Sequence, residues 1–352
     1  MRAFNKTRTR RVILVSLLVA LLLALSLPAI ALAEPDGPPS ALEPASPVSA
    51  AIADLHNVVL LIAAGVFLVV EGLILIAAFR FRRRPPDAGE PPQIHGNTRL
   101  EIAWTVVPAV IVVALFVLAV RAQQNMDAAA HSAEPGVPIS VEVMGHQWWW
   151  EFRYPDFRIA TAGQMVIPAG RVINLKITSA DVIHSFWVPQ LSGKTDAMQG
   201  VINQSLLRAS RPGDYYGQCA ELCGVSHAYM RLVVTVVSED EFAAWVKSQA
   251  TDAAEPAEPA ARAGKQVFES HPLCVGCHTL RGIPRAVGRT GPDLTHVASR
   301  PYIAGGTLAN TPHNLVRWLS DPPAIKPGTV MRELNLSPSD VDALVAYFQT
   351  LK

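Results

Sequence analysis

The sequence predicts a multidomain membrane protein: a two-helix transmembrane hairpin, then an all-β domain, then an all-α domain reached through a linker. Three observations carry this. Two apolar runs, 58–79 and 102–120, are each close to the ~20 residues that cross a bilayer. Residues 139–238 break into short stretches of alternating polarity divided by Gly, Pro and Asp. Residues 248–263, "SQATDAAEPAEPAARA", are rich in Ala, Pro and Glu with no apolar period, and helical stretches follow over 264–352.

With 352 residues there is room for two small domains besides the membrane segments. The formal charge is +1 and 17% of residues are charged, which leaves no basic face for nucleic acid. Hydrophobic residues reach 50%, high for a chain wholly in water. The four cysteines, at 219, 223, 274 and 277, form two close pairs. That pattern suits metal or cofactor attachment better than a stapled fold. There is no internal repeat.

Residues 1–33 hold five basic residues, then an apolar run, then Ala31-Leu32-Ala33. This order describes an exported signal peptide, with a retained third span as the alternative. No cysteine stands near the cleavage site, so a lipid-modified N-terminus is excluded. The hairpin covers 50–122. Arg80, Arg82, Arg83, Arg84 and Arg99 lie between its spans, against Arg121 alone at the far end. That excess puts the connecting loop in the cytoplasm and everything after Arg121 outside. Two helices are too few for a transporter and read as an anchor that packs against a larger partner. Glu71 lies within the first span and Glu101 at the cytoplasmic edge of the second. Carboxylates at membrane depth are costly and face protein or water. For Glu71, packing against a partner helix is preferred to a proton-path role.

The strands expected after the hairpin are "ISVEVMG", "RVINLKITS", "QSLLRAS" and "MRLVVTVVS". Several short alternating strands with turn signals make a sandwich or a barrel. Past the linker, "TPHNLVRWLSDP" and "SPSDVDALVAYFQTLK" each open on Ser or Thr with Pro, which starts a helix.

The helical domain contains "CVGCH", that is Cys274, Cys277 and His278. C-x-x-C-H is a c-type haem attachment signal: two thiols one turn apart add to the vinyl groups, and the histidine reaches the iron. The alternative, a redox-active dithiol, needs a thioredoxin-like βαβ setting that is missing here. Met331, in "KPGTVM", is the one methionine after the motif and the expected second axial ligand, with His296 and His313 as competitors. His–Met ligation raises the haem potential. "GPDL" at 291–294 and "KPGTVM" resemble the single-haem c-type cytochromes, and that resemblance covers the whole domain.

The β domain carries "CAELCGVSHAYM" at 219–230. In an exported domain a disulfide is one reading, and zinc a second, since Cys and His suit it. The methionine argues against zinc, because a thioether is soft and suits copper. A blue-copper site uses one cysteine between its histidine and methionine. Here there are two, spaced C-x3-C-x3-H-x2-M, and a second histidine must come from another strand. "HSFWVP" supplies His184. Two thiolates can bridge two coppers, each of which takes one imidazole. One charge shared by two metals requires little rearrangement, which points to electron transfer and not to substrate chemistry.

At this point the motifs "HSFWVP", "GDYYGQCAELCGVSHAYM" and "GHQWWWEFRYP" resemble subunit II of cytochrome c oxidase, with its dinuclear CuA centre. The resemblance runs from about residue 50 to 240, and the fused cytochrome resembles oxidases that carry their own electron donor. It implies a cupredoxin-like Greek-key barrel over 139–238 and an all-α class I cytochrome c domain over 264–352. By position, Cys219 and Cys223 would bridge both coppers, His184 and Met230 would complete one, and His227 with the Glu221 carbonyl the other. The Glu221 side chain would face a magnesium or manganese ion at the boundary with the catalytic subunit. "GHQWWW" matches an aromatic run whose first tryptophan, here Trp148, is where electrons enter. Trp149 stands where the family usually has tyrosine, and strand packing suffices for Trp149 and Trp150. "LEIAWTVVP" matches the start of the second helix and puts Glu101 at the mouth of a proton path in the neighbouring subunit. "KTDAM" places Lys194 and Asp196 at the subunit boundary.

The implied function is that of an oxidoreductase subunit. It passes electrons from covalent haem c to CuA and on to a partner chain that reduces oxygen to water and pumps protons. The implied partners are subunits I and III, with a soluble or membrane cytochrome c, or a quinol–cytochrome c reductase, as donor. The implied location is the bacterial plasma membrane, multi-pass, with both redox domains on the periplasmic face. Three rivals share parts of the pattern. A copper chaperone would use C-x3-C and a distant histidine, but not His227, Met230 and a fused haem domain. A nitrous oxide reductase would not need this anchor, and quinol oxidase subunits lack these ligands. No acidic docking patch for a basic cytochrome is evident on the barrel.

Overall fold

A near-continuous apolar composition makes the two longest elements, α1 over Pro47–Arg80 and α2 over Thr98–His131. The computed structural model describes residues 40–81, 93, 96–131 and 137–352, except for side chains at 129–131. The expected signal peptide and Arg82, Arg83 and Arg84 lie outside these residues. At ~1.5 Å per residue, 34 residues reach ~51 Å, well beyond a ~30 Å hydrocarbon layer. Polar ends such as Asp54 and His56 therefore extend each helix past the apolar spans. Leu61, Phe67 and Phe116 are exposed along the hairpin, a surface for lipid or partner helices to cover. Glu71 is exposed there too.

The start of α1 is tied to the β domain. Ser46 caps the helix in a reciprocal box with Ser49, and Pro47 takes the first helical position. The Ser46 hydroxyl also donates to the Leu191 carbonyl at 2.6 Å, and the Ser49 hydroxyl to Gln190 at 2.6 Å. Near the end of α2, Ala122 is buried, and that helix meets a strand of the β domain. Both helices thus reach the β domain at one end, and Arg80 and Arg99 flank the connection at the other. The architecture agrees with the charge asymmetry.

The β domain holds β1 (Ile139–His146), β2 (Trp149–Tyr154), β3 (Ile159–Ala162), β4 (Gln164–Pro168) and β5 (Ile173–Ser179). It continues with β6 (His184–Trp187), β7 (Thr195–Ala197), β8 (Asn203–Leu207), β9 (Gly213–Cys219) and β10 (Arg231–Val237). They form two five-stranded sheets, ordered β3-β2-β1-β5-β8 and β4-β10-β9-β6-β7. The β1–β5 and β4–β10 pairs are parallel and the others antiparallel, a cupredoxin-like sandwich. Strict alternation of buried and half-buried residues along β1 and β5 turns one face inward. Val141, Val143, Trp150, Phe152 and Ile177 fill the core.

The sequence pattern anticipates β1, β5, β8 and β10 but passes over β6 and β9, which carry the site. Those two are short or interrupted by Gly and Asp, so period-two alternation is weak. Also unanticipated is α3, Glu239–Gln249, started by a capping box between Ser238 and Glu241. It lays Phe242 and Trp245 on the sandwich, with the Trp245 ring 5.2 Å from Tyr154.

The C-terminal domain is helical: α4 (Pro259–Ser270), α5 (Pro272–Cys277), α6 (Pro312–Ser320), α7 (Pro322–Ile325) and α8 (Pro338–Phe348). α4 crosses α8 so closely that a side chain at Gly264 would collide with the Ala343 carbonyl. Phe268, Tyr347 and Phe348 pack around that crossing. The stretch 248–263 is more ordered than its composition suggests. α4 begins inside it, and Arg281 donates to the Gln249 and Thr251 carbonyls. Residues 41–352 form one unit, so the two outer domains hold a defined relation.

Candidate copper and haem sites

Strand pairing builds the first site. β6 runs beside β9, with Phe186 opposite Cys219, so His184 at the start of β6 lies near the end of β9. The loop after Cys219 is held at its base by Ala220 N–H to Ser185 O and Cys219 N–H to Met230 O. A single 3₁₀ turn, His227–Tyr229, then brings His227 and Met230 back to the cysteines. Cys219 Sγ lies 3.8 Å from Cys223 Sγ and 4.0 Å from His184 Nδ1. Cys223 Sγ lies 3.6 Å from His227 Nδ1 and 3.9 Å from Met230 Sδ. The Glu221 carbonyl is 3.2 Å from Cys219 Sγ. Both cysteines are free and buried.

Six donors, five of them side chains, therefore converge. Structural zinc takes four, so the set exceeds one zinc ion. Two thiolates, two imidazoles and a thioether form a soft N/S set that fits a pair of coppers. The contact between the two sulfurs lowers the Cys219 pKa, against the opposing effect of burial, and pushes that of Cys223 upward. A metal cation bound here would favour the thiolate form of both cysteines.

His184 is fully buried. Burial opposes its protonation, but hydrogen bonds to Asp181 and Cys219 outweigh that and raise its pKa. Asp181 Oδ1 lies 2.7 Å from His184 Nε2, while its Oδ2 accepts the Gln147 N–H at 2.7 Å. A carboxylate on the far ring nitrogen fixes the orientation of a ligating imidazole. The Cys223 carbonyl accepts from Gln147 Nε2 at 2.7 Å and from Trp148 Nε1 at 2.9 Å. Trp148 is thus joined to the copper loop directly, and its neighbour Gln147 is joined to His184 through Asp181.

The second site is a cavity of about 600 Å³ in the helical domain. Cys274, Cys277, His278 and Met331 line it, and Trp148 and Trp149 of the β domain close part of its wall. His278 Nδ1 lies 2.8 Å from the Pro292 carbonyl, which fixes the tautomer and frees Nε2. Burial lowers the His278 pKa and favours the neutral imidazole that ligates iron. Arg300 also lines the cavity, buried, with its Nε unpaired among the described residues. Burial lowers its pKa to about 10. An orphaned guanidinium N–H beside an apolar cavity fits the carboxylate of a porphyrin. Neither competitor for the iron lines the cavity. His296 is bound at Nδ1 by the Lys352 carbonyl at 2.7 Å, and His313 is exposed on α6.

Family models match in three stretches: "Cytochrome C oxidase subunit II, transmembrane domain" over 41–121, "Cytochrome C oxidase subunit II, periplasmic domain" over 158–237, and "Cytochrome c" over 261–352. Cytochrome c oxidase subunit 2 of Alkalihalophilus pseudofirmus (strain ATCC BAA-2126 / JCM 17055 / OF4) is 38% identical over 317 residues, 89% of this chain and 91% of that protein. The chain belongs to the cytochrome c oxidase subunit II family. Subunit 2 of Bacillus sp. (strain PS3) and of Bacillus subtilis (strain 168) are each 35% identical, over 77% and 78% of this chain and 80% of theirs. The protein is therefore a subunit of a haem-copper oxidase: a membrane subunit II with a periplasmic domain and a cytochrome c domain. The family implies CuA copper, haem, and association with other oxidase subunits in the membrane.

The remaining subunit II positions divide clearly. Trp150 is buried edge-on to Phe186, and Trp149 stacks on His146 with ring centroids 4.2 Å apart, so both are accounted for by packing. Lys194 and Asp196 form an exposed pair at 3.4 Å. Glu101 Oε1 accepts the Asn97 N–H at 3.2 Å, closing the first turn of α2. Sequence reasoning missed Asp181, Gln147 and Arg300. Asp181, three residues before His184 in "DVIHSF", carried the one local signal.

Proposed function

We propose that this subunit II relays electrons from its cytochrome c domain through Trp148 to its copper site, and on to the catalytic subunit that reduces oxygen to water and pumps protons. One observation carries the reading: the cavity lined by Cys274, Cys277, His278 and Met331 abuts Trp148, whose indole N–H is bonded to the Cys223 carbonyl. When bound, the haem and the copper pair supply one-electron redox chemistry. Cys274 and Cys277 would hold the haem by thioether bonds, with His278 and Met331 as axial ligands. Cys219 and Cys223 would bridge the coppers, His184 and Met230 completing one, His227 and the Glu221 carbonyl the other. Asp181 orients His184.

The Glu221 carboxylate, beyond its bond with the Leu222 N–H, would face a magnesium or manganese ion at the subunit I boundary. Exposed Leu222 and Val225 on the copper loop support a partner-covered surface there. Subunits I and III are the expected partners in the bacterial plasma membrane. A soluble or membrane cytochrome c, or a quinol–cytochrome c reductase, would reduce the haem. Glu101 would serve the mouth of a proton path, although its bond to Asn97 favours a second reading as a helix cap. The test is spectroscopic. Purified oxidase should show the near-infrared band of dinuclear copper, and this chain should stain for haem on a denaturing gel. Absence of either contradicts the proposal.

A further inference from the structure

Lys326 is a buried cation without a carboxylate partner among its hydrogen bonds. It is 2% exposed, at the head of the segment "KPGTVM" that ends in Met331. Its ammonium donates to the Trp148 carbonyl at 2.6 Å and to the Ala304 carbonyl at 2.6 Å. Lysine is rarely buried so completely, because removing an ammonium from water is expensive. Burial lowers its pKa to about 7. The position is loaded where hydrophobic packing would have been cheaper.

The surrounding contacts share one geometry. The next residue, Pro327, accepts through its carbonyl from the fully buried Ser226 hydroxyl at 2.6 Å. Ser226 immediately precedes His227. Gly305, at φ +66°, presses on the same spot, and its carbonyl accepts the Arg231 N–H at 3.0 Å. A Cβ at Gly305 would stand 2.6 Å from both the Trp148 carbonyl and the Lys326 ammonium. Two consecutive residues of the haem domain thus grip the β domain, one at Trp148 and one on the copper loop itself.

We infer that Lys326 is a positioning residue: its bond to the Trp148 carbonyl clamps the cytochrome domain onto the copper domain and so sets the haem-to-copper transfer distance. This rests on the relay proposed above. The clamp is built into the loop that carries Met331, so docking and the proposed iron ligation share one backbone segment. Removing it leaves every candidate metal ligand in place and loosens the relation between the centres.

The test uses the intact oxidase with wild-type chain, Lys326→Met, Gly305→Ala, and both changes together. Haem is reduced by a laser flash and copper reduction is followed in the near infrared. Each single variant should slow transfer at least about tenfold, the shift in docking that losing one charge-assisted hydrogen bond produces. The double variant should be little slower than either single one, because both act on one contact. Haem and copper spectra should stay unchanged. Because Lys326→Met removes a charge from the cavity wall, the rates are compared at each variant's own haem midpoint, with Gly305→Ala as the change that removes no charge. Transfer at the wild-type rate in Lys326→Met overturns the clamp, as does slowing fully explained by a shifted haem potential. If Lys326→Met does not assemble, Gly305→Ala decides alone, and normal transfer there also overturns it. Absence of transfer in the wild-type oxidase would instead defeat the relay itself.

Discussion

The two candidate redox sites are built on opposite principles. Around the copper loop, the donor contacts lie between 3.2 and 4.0 Å, held by strand pairing and by backbone bonds at the base of the loop. In the helical domain the candidate ligands line a space of about 600 Å³ that no side chain fills. The barrel's core is made of its own side chains, whereas in the helical domain a bound haem would add to the core. The comparison teaches that metal and haem enter the folding of this chain differently.

The largest expected effect follows directly. Phe268, Leu315, Leu344 and Phe348 line the cavity and also belong to the helical domain's core, so a haem seated there would pack against that core. Replacing both Cys274 and Cys277 with alanine, so that haem is not attached, should leave 264–352 unfolded and protease-sensitive while the barrel stays folded. Limited proteolysis reads this out. A protease-resistant haem-free domain would erase the contrast.

The next effect is on the copper side. Cys223→Ser removes one bridge and should abolish the near-infrared band and copper pair, while the barrel's melting temperature moves by only a few degrees. Metal analysis and calorimetry check both halves. Two coppers with an unchanged band would break the assignment. A smaller change is expected from Met331→Ala: a sharply lower haem midpoint with covalent attachment intact, since the thioethers and His278 remain. An unchanged potential would place another residue on the iron.

These contrasts also mark what the sequence could reveal. Local spacing carried the candidate ligands: C-x-x-C-H places three candidate haem-binding side chains within five residues, and C-x3-C-x3-H-x2-M places four candidate copper donors within one loop. Alternation carried β1 and β5, whose burial pattern is regular. It could not carry β6, four residues that are almost all buried, although β6 delivers His184. Long-range contacts were illegible for a simple reason. Lys326 meets Trp148 across 178 positions, and no pattern within "KPGTVM" announces that. Asp181 had a readable neighbour in His184, but its second bond, to Gln147, depends on the turn after β1.

The smallest expected effect concerns protons. Glu101→Ala should slow oxygen consumption per assembled complex without altering haem-to-copper transfer, if the carboxylate feeds a proton path. If it serves as the cap that its bond to Asn97 suggests, assembly weakens and turnover per complex stays normal. Turnover normalised to haem content separates the two.

The relay through Trp148 is tested most directly by flash reduction of the haem in the intact oxidase, comparing wild type with Trp148→Phe. Phenylalanine keeps an aromatic ring against the cavity but removes the N–H bonded to the Cys223 carbonyl. The relay predicts that haem oxidation and copper reduction remain matched in time, and that both slow several-fold in the variant with midpoint potentials unchanged. Copper reduction at the wild-type rate in Trp148→Phe, or copper reduction that precedes haem oxidation, would contradict it.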